Sequence, residues 1–210
     1  MKKLALILAA LMLGATVITS CNSGAGDDVQ KNYSAGTFNE NGYTSEWLGL
    51  SFVPDKSVVM ATETELHELM QISADSSAFY VDEATGEKVL DRSKITSAYE
   101  MMATDSQTGS TVFVMAEAVS DDMTVEQYIE ALKTQLSTQV EGLIFDEPKT
   151  KKLGGEKYTC FGYGIEAYGV TLAQSMYLRR EGDRIACICF TYSEDSEMEA
   201  FLGCFAKYGK

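Results

Sequence analysis

Histidine and proline are nearly absent from this 210-residue chain, which holds one His and 2 Pro. Scarce proline, with 17 Gly and 45% hydrophobic residues, excludes a collagen-like or broadly disordered chain. One histidine means that any Ser-His-Asp triad, Cys-His pair or His-based metal site must use His67. There is no G-x-S-x-G elbow, and no thiol lies near His67 in the sequence. His67 flanks the apolar Leu66, Leu69 and Met70, so a helix-surface histidine is expected. Positive charge is also short. Against 31 Asp+Glu stand 17 Lys+Arg, a net charge of -14. Phosphate backbones repel such a chain, which argues against nucleic-acid binding. No internal repeat is present. Beyond the first twenty residues no apolar stretch reaches the roughly 20 residues of a spanning helix.

What the chain does have begins at its first residues. Lys2 and Lys3 precede an apolar run from Leu4 to Leu13, which continues weakly to Ile18. This is the length and charge pattern of a secretory signal peptide. Ile18-Thr19-Ser20-Cys21 follows, an aliphatic residue and two small ones before a cysteine. It resembles a bacterial lipobox. The resemblance implies a signal peptide over 1–20, cleavage before Cys21 and acyl chains on that residue. Cleavage removes two lysines and no acid, so the formal charge of -14 becomes -16. At about 0.8 kcal/mol per buried CH₂, two or three acyl chains hold a domain on a membrane firmly. The implied location is extracytoplasmic, lipid-anchored to the cell membrane through Cys21.

Residues 21–45 are rich in Asn, Ser, Gly and charge and show no periodicity, so a flexible tether is expected there. A single domain over 46–210 should follow. Trp47 to Val53 reads as a strand. Thr62 and Glu65 form a T-x-x-E capping box before a helix, and Thr124 with Gln127 forms another. Val125, Tyr128, Ile129, Leu132 and Leu136 fall at helical spacing. Residues 96–104 and 111–119 read as a hairpin about Asp105–Ser110. Strands at 156–167, 170–180 and 184–192 form a meander. Ser196 with Glu199 suggests a third capping box, before a closing helix. Short turns make neighbouring strands antiparallel, and one-faced helices need a sheet to cover. The expected fold is α+β, a single antiparallel sheet of five to seven strands with helices packed on its faces.

The run Trp47-Leu48-Gly49-Leu50-Ser51-Phe52-Val53-Pro54 resembles the opening strand of PsbP/Mog1-like domains, and the element order fits their α/β/α sandwich. The chain is also similar to small uncharacterised lipoproteins of Gram-positive-type bacteria. The resemblance implies a binding or assembly role more than catalysis.

Beyond Cys21 the chain has Cys160, Cys187, Cys189 and Cys204. They read as buried free thiols, as one disulfide (Cys160–Cys189 or Cys187–Cys204), or as a soft-metal or redox set lacking C-x-x-C spacing. Asp82 to Glu87 with Asp91 looks like a calcium loop but fails the EF-hand template. A solvated acidic loop is the simpler reading, and no metal or cofactor is expected. Phe161, Tyr163 and Tyr177 on the meander read as core packing rather than a sugar platform.

The most informative feature is charge asymmetry. Between Lys149 and Arg184 lie seven cations and only four acids. Taking the turns at 154–155, near 168 and at 181–183, Lys152 faces Lys157, Lys157 faces residue 179 or 180, and Arg180 faces Arg184. Lys152, Lys157, Arg179, Arg180 and Arg184 should then gather at one rim of the sheet. Facing like charges are unfavourable, so either the protein's own carboxylates neutralise them or an anionic ligand does. The expected function is a non-catalytic binding or accessory module for an envelope protein or anionic wall polymer. A cell-envelope hydrolase using carboxylates that the sequence does not single out is the alternative.

Overall fold

The structure, a computed structural model, describes residues 33–71, 76–140, 142–167 and 170–209. The signal peptide, Cys21 and the expected tether as far as residue 32 lie outside them.

Alternating apolar residues build a seven-stranded antiparallel sheet with the order β4-β7-β8-β12-β11-β10-β9. Its strands are β4 (Val58–Met60), β7 (Ser97–Asp105), β8 (Thr111–Ala118), β9 (Lys149–Leu153), β10 (Glu156–Ala167), β11 (Val170–Glu181) and β12 (Arg184–Tyr192). The hairpin and meander run where the alternation places them. Asp105 caps the β7–β8 turn by accepting from the backbone N–H of Gln107 (2.8 Å) and Thr108 (3.0 Å).

Two helices cover one face. Helix α1 (Glu63–Met70) starts at Thr62, and α2 (Val125–Gln139) at Thr124, each with the reciprocal capping box its sequence carries. Leu66 of α1 and Tyr128, Ile129, Leu132 and Leu136 of α2 pack on Phe113, Met115, Phe161, Met176, Leu178 and Cys187. Each such side chain contributes about 1.5–3 kcal/mol on burial.

The expectation of a single sheet with helices on both faces is corrected at the opposite face. A second, four-stranded sheet, β1-β2-β3-β13, lies there. It comprises β1 (Thr37–Asn39), β2 (Gly42–Ser45), β3 (Leu50–Phe52) and β13 (Phe205–Lys207). Helix α3 (Asp195–Cys204) completes the layer. Tyr43, Leu48, Leu50, Phe52, Phe201 and Phe205 bury against Val112, Val114, Tyr177, Ile188 and Phe190. The expected tether boundary at residue 45 is therefore corrected. Residues 37–45 are a hairpin that buries Tyr43, and they look like a linker because each strand is only three or four residues long. The third cap is corrected too. Helix α3 begins after Glu194, and the Glu197 carboxylate accepts from the backbone N–H of Ser193 (2.8 Å) and Glu194 (3.3 Å).

A small ribbon, β5 (Phe79–Val81) with β6 (Lys88–Leu90), spans the acidic loop. Asp82 accepts there from the backbone N–H of Ala84 (2.8 Å) and Thr85 (2.9 Å), an Asx-type turn that uses the carboxylate locally. Among the described residues no helix is long and apolar enough to cross a membrane.

Candidate functional site

The β9–β10 hairpin is closed by Gly154 and Gly155, with φ of +57° and +92°. Both are left-handed, as a two-residue type I′ turn requires. A Cβ on Gly154 would also lie 2.2 Å from Leu50 Cδ2 and 3.0 Å from the Ala206 carbonyl oxygen, which adds crowding to the left-handed backbone that favours glycine. The turn pairs Leu153 with Glu156, Lys152 with Lys157 and Lys149 with Cys160. Two residues beyond the Thr159–Leu178 pair, the same register sets Lys157 level with Arg180. So far the expected juxtaposition holds.

It fails at the next turn. The closing pair there is Glu181–Arg184, and Arg180 pairs with Ile185 rather than with Arg184. Because successive strand residues alternate faces, the five cations divide. Lys152, Lys157 and Arg180 share the face of Phe161 and Leu178, which α2 covers. Arg179 and Arg184 share the face of Tyr177 and Ala186, which the small sheet covers. They do not form one rim.

The three arginines are engaged by the protein itself. Arg179 lies 3.5 Å from Glu156 and 2.7 Å from Glu181, donates to the Leu48 carbonyl at 2.8 Å and stacks over Tyr158. Arg180 donates to the carbonyls of Gly182 (3.1 Å) and Met123, tying the strand to the loop before α2. Arg184 is 3% exposed. It donates to the carbonyls of Ser93 (2.8 Å), Ile95 (2.9 Å) and Ala116 (3.2 Å) and lies over the Tyr33 ring at 4.1 Å. Carboxylates thus neutralise Arg179, whereas Arg180 and Arg184 have their donors taken up by uncharged backbone carbonyls.

Neither accounts for the lysines. Lys149, Lys151, Lys152 and Lys157 are all exposed. Lys151 lies over the Tyr177 ring at 5.8 Å. Among the described residues, Lys149, Lys152 and Lys157 make no ion pair. Lys152 and Lys157 stand directly opposite each other. Counting from the hydrogen-bonded closing pair, theirs is a non-hydrogen-bonded pair, the closer of the two antiparallel types. The sheet therefore ends in a basic edge on an acidic protein.

The remaining candidates have structural roles. His67 is half-buried, edge-on to Phe79 with centroids 6.1 Å apart. Burial and the charge of Arg92 lower its pKa. Cys160 packs with the small-sheet layer, whereas Cys187 and Cys189 pack on the helix side. The sheet lies between the members of both suggested disulfides, and all four thiols are free. Burial raises the pKa of each.

The sequence gives no sign of a buried carboxylate at Glu100. It occupies the β-bulge between Tyr99 and Met101 on β7, is fully buried, and accepts from the hydroxyls of Tyr33 and Tyr43 and the backbone N–H of Gly36. Burial and then the Glu100 charge raise both phenols. A second buried acid, Glu117, takes the Tyr128 hydroxyl at 2.5 Å on the helix side. The two therefore lie in different layers rather than as a facing pair. A cleft of about 210 Å³ between the β7–β8 turn and α3 is lined by Asp55, Ser57, Asp105, Glu197 and Cys204. Burial opposes ionisation of Asp105 and Glu197, but hydrogen bonds from Ser57 and Ser110 and from nearby backbone N–H groups outweigh it and lower both pKa values. Each carboxylate is thereby committed to a turn or a cap.

Fold and surface together define a mixed α/β domain with antiparallel sheets and a lysine-rich edge. No protein-family model matches the chain, and no curated protein matches its sequence. Among solved structures it is similar to the cyanobacterial PsbP (CyanoP) of Synechocystis sp. PCC 6803, with a TM-score of 0.44 and 11% identity over 87% of this chain and 98% of that one. It is also similar to LpqN of Mycobacterium tuberculosis, involved in cell envelope biogenesis, with a TM-score of 0.41 and 9% identity over 75% and 82%. PA94 of Pseudomonas aeruginosa, of unknown function, superposes with a TM-score of 0.37 and 12% identity over 58% and 85%. Superpositions this loose carry no conclusion about ligand or activity.

Proposed function

We propose that the protein is a non-catalytic binding module, lipid-anchored through Cys21 on the outer side of a cell membrane, which holds an anionic partner on the β9–β10 edge. The supporting observation is the division of labour among the cations. Every arginine of the meander has an internal partner, whereas Lys149, Lys152 and Lys157 are exposed and make no ion pair among the described residues, on a chain of net charge -14. The Lys152–Lys157 pair is a standing repulsion that an anion relieves. The lipobox supplies the anchor.

The test uses the full-length protein and poly(glycerol phosphate) as the polyanion probe. Wild type should bind it, more weakly as salt rises. The triple variant K149E/K152E/K157E should lose at least tenfold in affinity with its thermal midpoint maintained. Equal binding by the two proteins removes the edge from consideration. Mass spectrometry of the mature amino terminus tests the anchor separately, since an unmodified Cys21 contradicts it.

A further inference from the structure

β9 is the last strand of the seven-stranded sheet, so its outer edge carries backbone groups that no strand pairs among the described residues. Counting from the Leu153–Glu156 closing pair, Leu153, Lys151 and Lys149 turn their N–H and C=O groups toward β10. Thr150 and Lys152 turn theirs outward. Bare edges of this kind recruit other strands, and lysines on an edge repel a second copy of the same strand. Edge protection explains Lys149, Lys151 and Lys152. It does not explain Lys157, which sits one strand inward on β10 and deepens the positive charge at a like-charge pair.

We infer that β9 takes up an acidic, extended polypeptide segment of a partner protein as an eighth strand, with the Thr150 and Lys152 backbone as its ladder and the lysines as its charge filter. This rests on the anionic-partner reading above and narrows the partner to a polypeptide. Strand addition supplies main-chain affinity, and alternate side chains supply selection. The geometry suits it on both faces. Lys149 and Lys151 project on the small-sheet side, and Lys152 with Lys157 on the α2 side, so carboxylates on either face of an incoming strand meet an ammonium group. An acidic strand is attracted where a second copy of β9 is repelled.

The experiment compares two probes on the full-length protein. One is a heptapeptide in which Glu alternates with Thr and Val; the other is poly(glycerol phosphate), which has no peptide group. Wild type should bind both. On adding the peptide, amide exchange at Thr150 and Lys152 should slow at least tenfold, with Lys151 little changed. Thr150→Pro removes an outward N–H while keeping every lysine, a substitution that edge strands tolerate. It should lower peptide affinity at least tenfold and leave polymer affinity within twofold. Peptide bound without exchange protection overturns strand addition even if the variant misfolds. Thr150→Pro retaining full peptide affinity overturns it as well, and loss of both probes in K149E/K152E/K157E then leaves the basic edge standing alone. Wild type binding the polymer but not the peptide also removes only the strand. Wild type binding neither removes both.

Discussion

Replacing Arg184 with methionine separates a structural arginine from a binding one. The guanidinium is 3% exposed and satisfies three carbonyls, those of Ser93, Ile95 and Ala116. Two belong to the segment around the short 3-10 turn Arg92–Lys94, so this one side chain pins that segment to β12 and β8. It also lies over the Tyr33 ring, whose hydroxyl donates to buried Glu100. The bond to Ala116 is buried and those to Ser93 and Ile95 are partly so, and an acceptor left alone away from water costs about 1–3 kcal/mol. Relief from holding a charge away from water returns part of that. The expected net loss is about 3 kcal/mol. For a domain of this size each kcal/mol moves the midpoint by about 2–4 °C, so melting should fall by about 6–12 °C. Arg184→Lys should recover only part, because an ammonium lacks the planar fork. The assay is thermal and urea unfolding followed by circular dichroism, beside polyanion binding at a temperature where the variant is folded. Unchanged melting with lost binding would refute the reasoning and return Arg184 to the ligand surface.

Three further outcomes are expected. Lys157→Glu turns the facing Lys152 pair from repulsive to attractive, so unfolding free energy should rise by about 0.5 kcal/mol while polyanion capture falls; a destabilised variant contradicts the pairing. Among the four cysteines of the described residues, half-buried Cys204 should react first with a thiol reagent in native protein at pH 8, with Cys160, Cys187 and Cys189 reacting only in denaturant. Because its thiol pKa is raised by burial, the Cys204 rate should keep climbing above pH 9. Glu197 has a folded pKa below its ordinary 4.5. Its stabilisation is present above that value and is lost as pH falls through the lower folded one, so Glu197→Gln should lower stability at pH 7 and flatten its decline under acid.

The long elements were legible because their periods are long enough to count. Five helical positions from Val125 to Leu136 bury four side chains, and each of the three meander strands runs nine residues or more. Of the small sheet only β3 was legible, inside the longer strand expected over Trp47 to Val53. Strands β1, β2, β3 and β13 have three or four residues each. A period of two cannot be told from chance over that length, and the polar residues of 37–45 carry turn chemistry as readily as linker chemistry. What holds these strands comes from residues far apart in sequence: Tyr43 reaching Glu100, and the cross-strand pair Phe52 and Phe205 meeting edge-on with centroids 4.9 Å apart.

The candidate surface shows how a single residue of register decides a functional reading. Taking 181–183 as the turn places Arg180 opposite Arg184 and gathers five cations. The actual closing pair, Glu181–Arg184, leaves only Gly182 and Asp183 in the loop. A one-residue slip sends every later side chain to the other face, so Arg184 enters the small-sheet layer among carbonyls instead of joining the lysines. The β9–β10 turn was readable because Gly154-Gly155 permits one geometry, whereas Glu-Gly-Asp permits two. Arginine and lysine then part by their own chemistry. A planar fork with five donors can be buried among carbonyls and carboxylates, as all three meander arginines are engaged. A strongly hydrated ammonium cannot be buried so readily and stays at the edge. Charge left over at a surface is therefore the lysine charge, and a partner that reads this protein by charge reads the strand on which Lys149, Lys151 and Lys152 stand.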